Sequence, residues 1–206
     1  MLRRTTLAAF AALGLWAQWP ARAHTAAPAV RSAAWREYAA LAGAAGRLPL
    51  DERVDFVNSA INQRIDYAPD TLVCGAADCW QTPTETLALK HGDCEDFAIA
   101  KYFVLRDCGL PCGCARLLYA LRTPDDTPGL RMPHVVLLGG GTASDPLVFD
   151  NLNPLLQPLS KRPDLQPVLS FDVSGLWRGA SGERVGDAAA LLRPWRELLA
   201  RWQQQR

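Results

Sequence analysis

The hydrophobic periodicity of this 206-residue chain changes at Gly109-Leu110-Pro111, and that change restricts its fold more than any other feature. Upstream, apolar residues recur at helical spacing. Asp51 can cap a helix carrying Val54, Val57, Ile61 and Ile65, which ends at Tyr67-Ala68-Pro69-Asp70. Thr82-Pro83-Thr84-Glu85 opens a short helix over residues 85–89, and Gly92 breaks the chain before a stronger helix over residues 94–108. Downstream, residues 115–121, 134–138 and 147–150 are short apolar segments between Pro- and Gly-rich turns, which reads as strands. Residues 171–173 add an edge strand. Residues 188–202 form a closing helix with Leu191, Leu192, Trp195, Leu198 and Trp202 facing inward, its start shifted by Pro194, and the Gln203-Gln204-Gln205 tail frays. Helices followed by antiparallel strands predict an α+β fold.

The N-terminus bears the marks of export. Arg3 and Arg4 precede an apolar run over residues 7–16, and Ala21-Arg22-Ala23 supplies a small-residue cleavage site. Residues 1–23 read as a cleaved signal peptide, with a retained signal anchor as the alternative. The run is too short to span a bilayer, which needs about 20 apolar residues, so no membrane insertion is expected after cleavage. Residues 24–48 read as a leader with a peripheral helix over 33–42, and residues 49–206 as one domain. Cleavage removes three arginines and no acid, lowering the formal charge from +1 to −2. With no basic run along a face, nucleic acid is not an expected partner.

Chemistry concentrates at Gly92-Asp93-Cys94-Glu95-Asp96, where one thiol stands among three carboxylates at a helix start. The positive end of the helix dipole and a neighbouring imidazolium can both stabilise a thiolate there. Of the three histidines, His24 begins the mature chain, His91 precedes the thiol on a loop, and His134 heads an apolar strand where a ring can be fixed. Asp150, closing the next strand, is the best-placed acid to orient that ring. Singly, His134 reads first as an ordinary core histidine and Asp150 as a turn residue before Asn151; together, the order Cys, His, Asp favours a catalytic set. Carboxylates beside a thiolate oppose its ionisation, and a divalent cation reverses that effect, calcium suiting oxygen ligands best. Without a metal, Glu95 and Asp96 are ordinary acids complementing the helix dipole. Six cysteines also allow disulfides: Cys74 with Cys79, or Cys108 with Cys112 or Cys114. A zinc knot at the last three lacks a fourth ligand.

The stretches Trp80-Gln81-Thr82-Pro83, Gly92 through Ala98, Ala100-Lys101-Tyr102, His134-Val135-Val136-Leu137 and Asp150-Asn151-Leu152 resemble the bacterial transglutaminase-like cysteine proteinases. The likeness runs over residues 50–153. It implies a papain-like, transglutaminase-like core with N-terminal helices and an antiparallel sheet. It also implies Cys94 as nucleophile, His134 as base, Asp150 as orienting acid, and Ca2+ held by Asp93 and Glu95 with help from Asp96. Such enzymes are periplasmic; the implied substrate is the N-terminal region of a large surface adhesin, cut at an alanine-containing site to release it from a biofilm. The implied partner is the periplasmic domain of an inner-membrane cyclic-di-GMP receptor. Oxyanion stabilisation is expected from the Cys94 backbone N–H and the Gln81 region, and Trp80 is expected to wall the site. Cys79 replaces an aromatic residue of the family pattern, and Pro133 stiffens the approach to His134. Transfer of the acyl group to an amine, and a non-catalytic binding module on the same fold, remain alternative readings.

Overall fold

The computed structural model describes residues 28–111 and 113–206, so the signal peptide reading and Cys112 lie outside the described residues. Helix α1 (Pro28–Gly46) is longer than expected and is not peripheral. Ala34, Tyr38, Leu41 and Ala45 are buried, and the Tyr38 hydroxyl lies 3.0 Å from the Phe103 carbonyl and 2.8 Å from Asp107 Oδ2. Its alanine content favours helix throughout without an obvious polar face, which is why the periodicity understates it. Helix α2 (Leu50–Asn62) begins directly after Pro49, leaving Asp51 in its first turn rather than at the cap.

The approach to the thiol is set by local chemistry. A two-residue strand β1 (Asp66–Tyr67) is followed by a single turn α3 (Asp70–Val73), then helix α4 (Pro83–Leu89). Thr82 caps α4 reciprocally: its Oγ1 accepts from Glu85 N–H at 3.3 Å, and Glu85 Oε2 accepts from Thr82 N–H at 2.8 Å. With Pro83 in the first turn, α4 starts two residues before the expected position. Strand β2 (His91–Gly92) pairs in parallel with β1 and leads straight into α5 (Cys94–Asp107). Every residue of α5 from Glu95 to Leu105 is buried, so it is a central helix apolar on most sides rather than an amphipathic surface one.

The second half of the chain is an antiparallel sheet, as the sequence predicts. Its strands are β3 (Ala115–Arg122), β4 (Met132–Thr142), β5 (Asp145–Phe149), β6 (Gln157–Pro158), β7 (Leu165–Asp172), β8 (Gly175–Arg178) and β9 (Arg184–Gly186), in the order β6-β5-β4-β3-β7-β8-β9. Leu117, Val135, Leu137, Phe149 and Phe171 face the main core, while Leu118, Ala120, Val136, Leu138 and Val148 pack in a second cluster on the other face. Burial on both faces explains the continuous apolar runs of β3 and β4. The predicted edge strand at 171–173 is instead the end of β7, an interior strand paired with β3 and β8. Trp177 lies in β8 with the Arg116 guanidinium 3.6 Å from its ring centroid.

The closing helix is two pieces, α6 (Ala188–Leu191) and α7 (Arg193–Gln205), divided where Pro194 starts the second. Trp195, Leu198 and Trp202 face inward as expected, but Leu191 is exposed. The C-terminal tail does not fray: Gln205 Oε1 accepts from Thr82 Oγ1 at 2.7 Å and Thr84 Oγ1 at 2.6 Å, and its Nε2 donates to Glu85 Oε1 at 3.0 Å. Among the described residues, no helix is long and apolar enough to cross a membrane.

Candidate active site

Cys94 is the first residue of α5, and Gly92 is what lets the chain reach it. A side chain at Gly92 would meet Asp96 Oδ2 at 2.6 Å and Asp96 Cβ at 2.7 Å, so only glycine fits the crossing from β2 into the helix. The Asp96 carboxylate then binds this junction together. Its Oδ1 accepts from Gln81 N–H at 2.8 Å, and its Oδ2 accepts from Gln81 Nε2 at 2.6 Å and Asp93 N–H at 3.3 Å.

Strand β4 delivers the second component. Val135 N–H donates to Cys94 Sγ at 3.4 Å, which seats the residue after His134 directly on the thiol. His134 is buried, and its Nε2 lies 2.9 Å from Asp150 Oδ1. With Nε2 committed to the carboxylate, Nδ1 is the ring nitrogen left for proton exchange. Asp150 follows the last residue of β5, which pairs with β4 through Leu137 and Phe149, so sheet register sets the histidine–aspartate contact. His91 is exposed and contributes its backbone to β2, while His24 lies outside the described residues.

Asp150 is fully provided with donors. Leu152 N–H donates to Oδ1 at 3.0 Å and Arg162 Nη2 to Oδ2 at 2.7 Å, while Lys101 Nζ donates to the Asp150 carbonyl at 3.2 Å. Burial pushes the Asp150 carboxyl up, but the hydrogen bonds and charges of His134 and Arg162 outweigh it and hold the group well below the usual carboxylate range. Burial also pulls the Lys101 ammonium down to about 7, partly countered by the Asp150 charge. Neither Arg162 nor Lys101 was singled out by sequence reasoning for a role at Asp150. Arg162 lies twelve residues beyond it after a proline-rich bend, and Lys101 carries the only sign, a charge among apolar residues of α5.

The acids around the thiol are in the opposite condition. Cys94 S–H donates to Glu95 Oε2 at 3.2 Å, and burial followed by the charges of Glu95 and Asp93 pushes the thiol well above its ordinary value. Burial and the Asp93 charge likewise push Glu95 and Asp96 well up. The fold adds two acids: Asp70 from α3 and Asp78 from the following loop. Carboxylate oxygens of Asp70, Asp78 and Glu95 lie within 4.8 Å of one another, as do those of Asp70, Asp93 and Asp96. Asp70 is pushed up to about 7 by burial and by the Asp93 and Asp78 charges. Asp70 Oδ1 and Asp93 Oδ1 are buried without a hydrogen-bond partner. Converging buried carboxylates with unsatisfied oxygens and no cationic side chain among them fit a hard cation bound through oxygen. Within this group Asp96 already accepts three hydrogen bonds and serves chiefly as the junction anchor.

Three expectations change here. The Gln81 amide is buried and donates to Asp96 and to His91 O at 3.2 Å, so it is not an oxyanion donor. Trp80 belongs to the core, stacked 5.7 Å from Phe171 and edge-on to Trp195, while its Nε1 donates to Asp78 Oδ1 at 3.0 Å. Among the described residues the structure forms no Cys74–Cys79 or Cys108–Cys114 bridge, and Cys108 Sγ donates to Leu105 O at 3.1 Å.

Residues 48–163 match the family described as bacterial transglutaminase-like cysteine proteinase. No curated protein gives a significant match. Among solved structures, EGTA-treated LapG of Legionella pneumophila is similar with a TM-score of 0.70 and 30% identity, over 94% of this chain and 96% of that one. A second LapG structure from that organism gives 0.69 at 30% identity and the same coverage. Its calcium-bound form gives 0.67 at 29% identity, over 97% of each chain. The mixed helical and antiparallel-sheet fold is thus that of a LapG-type cysteine protease, and this chain belongs to the bacterial transglutaminase-like cysteine proteinases.

Proposed function

We propose that the chain is a periplasmic, calcium-dependent cysteine endopeptidase that cleaves the N-terminal region of a large surface adhesin and so promotes its release from a biofilm. The observation that carries this reading is the seating of Val135 N–H on Cys94 Sγ beside a His134–Asp150 contact of 2.9 Å. Cys94, as thiolate, attacks the peptide carbonyl, and His134 delivers a proton from Nδ1 to the leaving amine. Asp150, fixed by Arg162 and Leu152 N–H, holds the ring through Nε2 in the tautomer and orientation this requires. Water then resolves the acyl-enzyme with His134 as base. The backbone N–H of Cys94, at the unpaired start of α5, faces the developing oxyanion.

Asp93 and Glu95 would hold the calcium ion, with Asp70 and Asp78 completing an oxygen cage. Bound calcium supplies positive charge where carboxylates otherwise oppose the thiolate. The calcium-bound LapG neighbour supports this assignment. By family likeness, the partner that restrains the protease is the periplasmic domain of an inner-membrane cyclic-di-GMP receptor.

The test is cleavage of the adhesin N-terminal fragment by the mature chain with calcium, with chelator, and with Cys94→Ala. Cutting that needs calcium and vanishes in the variant is expected; cutting retained by Cys94→Ala would sink the assignment. Product masses separate hydrolysis, which gives two fragments, from acyl transfer, which gives an amine-linked product.

A further inference from the structure

The cysteine that replaces an aromatic residue in the family pattern, Cys79, does not stand alone. Cys74 ends the single turn α3, where its N–H donates to Asp70 O at 2.8 Å. Gly75, at φ +68°, turns the chain back, and residues 75–78 carry it to Cys79. There the two buried sulfurs and an Asp70 oxygen lie within 4.8 Å of one another. Cys74, Ala76 and Cys79 form an apolar cluster of their own, separate from the main core. This small cluster anchors the loop from within, while Gly75 and Ala77 are exposed.

The loop matters because of its acids. An Asp70 oxygen lies within 4.8 Å of both sulfurs, and an Asp70 oxygen lies equally close to carboxylate oxygens of Asp93 and Asp96. Asp78, immediately before Cys79, joins Asp70 and Glu95 in the same acidic group. Two of the four oxygen donors assigned to the cation cage therefore flank the sulfur pair along the chain, Asp70 at the start of the turn that Cys74 ends and Asp78 immediately before Cys79.

We propose that Cys74 and Cys79 are a reversible disulfide site whose oxidation locks Asp70 and Asp78 into the cation cage and tightens calcium binding. The coupling to calcium rests on the calcium reading above, whereas the disulfide itself rests on the sulfur contact. The oxidant is a disulfide, either of a small thiol such as glutathione or of a protein. One cysteine, as thiolate, attacks the donor's S–S bond and releases one thiol, forming a mixed disulfide. The second cysteine then attacks its partner's sulfur, releasing the second thiol and closing the bridge, with two protons shed and the donor reduced by two electrons. A six-residue loop so closed loses few native contacts, and the thiols' existing proximity keeps the rearrangement local.

The test uses the mature chain, reduced or treated with glutathione disulfide, then mapped by differential alkylation and mass spectrometry and titrated with calcium. The expected oxidised chain is two hydrogens lighter, with the bridge mapped to Cys74 and Cys79, and it binds calcium more tightly than the reduced chain. The Cys74→Ser/Cys79→Ser variant should bind like the reduced chain under both conditions. Alkylation of both cysteines after oxidant treatment would overturn the disulfide. A mapped bridge with equal calcium affinities in the two forms would overturn the coupling alone; a mapped bridge with no calcium bound in either form would overturn the coupling and the calcium reading together.

Discussion

Buried carboxylates occupy two places at this site, and they are provided for in opposite ways. Asp150 receives donors from His134, Leu152 and Arg162, and is held ionised despite its burial. Asp70, Asp93 and Glu95 face one another, retain unsatisfied oxygens at Asp70 and Asp93, and are all pushed upward. The same functional group thus serves two purposes. A carboxylate surrounded by fixed cations and N–H groups orients a neighbour, whereas a carboxylate surrounded by its own kind leaves a charge deficit that a mobile cation can fill.

The largest effect expected from this contrast is on chemistry. Asp150→Asn should leave the fold in place but lower kcat by about 10^3 to 10^4, because the amide can hold the wrong ring tautomer. Single-turnover cleavage measures it, and near-normal turnover would break the claim that Asp150 is the orienting group.

Arg162→Met comes next. It strands a buried carboxylate charge and should cost about 3–5 kcal/mol of stability, read by urea unfolding. A cost below about 1 kcal/mol would mean that His134 and Leu152 alone suffice at Asp150.

The acidic side should respond with two signs at once. Asp93→Asn should weaken calcium binding roughly 10- to 100-fold and raise the thermal midpoint of the calcium-free chain by relieving repulsion. Calorimetric titration and a melting curve check both, and a lowered midpoint would show that the cluster is already satisfied without a cation.

The last effect concerns Lys101. Its folded pKa of about 7 lies below the ordinary lysine value of 10.5, so between these pH values the unfolded chain binds a proton that the folded chain refuses. Stability should therefore rise with pH across that window, by up to about 1.4 kcal/mol per pH unit, and Lys101→Met should flatten the slope. Equal slopes in the two proteins would remove Lys101 from the account.

The two halves of the site were not equally legible in the sequence. Cys94, His134 and Asp150 each lie at or near the end of an element whose periodicity is strong, so their order could be read directly. Asp70 and Asp78 come from a short turn and loop with no periodic pattern, and their convergence on Glu95 depends on the β1–β2 pairing and on the Trp80 hydrogen bond to Asp78. Arg162 is brought back to Asp150 by the turn after β6, a contact that no local rule predicts. The same limit applies to the fold. Residues 94–107 and the cores of β3 to β5 follow from their patterns, but β8 and β9 are four and three residues long and too short to show an alternating pattern. Helix α1 is understated because alanine supplies propensity without marking a face.

The most direct test of the central claim, that the acids beside Cys94 form a cation site while Asp150 does not, is a calcium titration of the mature chain by calorimetry, run alongside Asp93→Asn and Asp150→Asn. One calcium per chain in the parent and in Asp150→Asn, with binding weakened in Asp93→Asn, is the result the account predicts. Absence of binding in the parent, or equal affinities in the parent and Asp93→Asn, would contradict it.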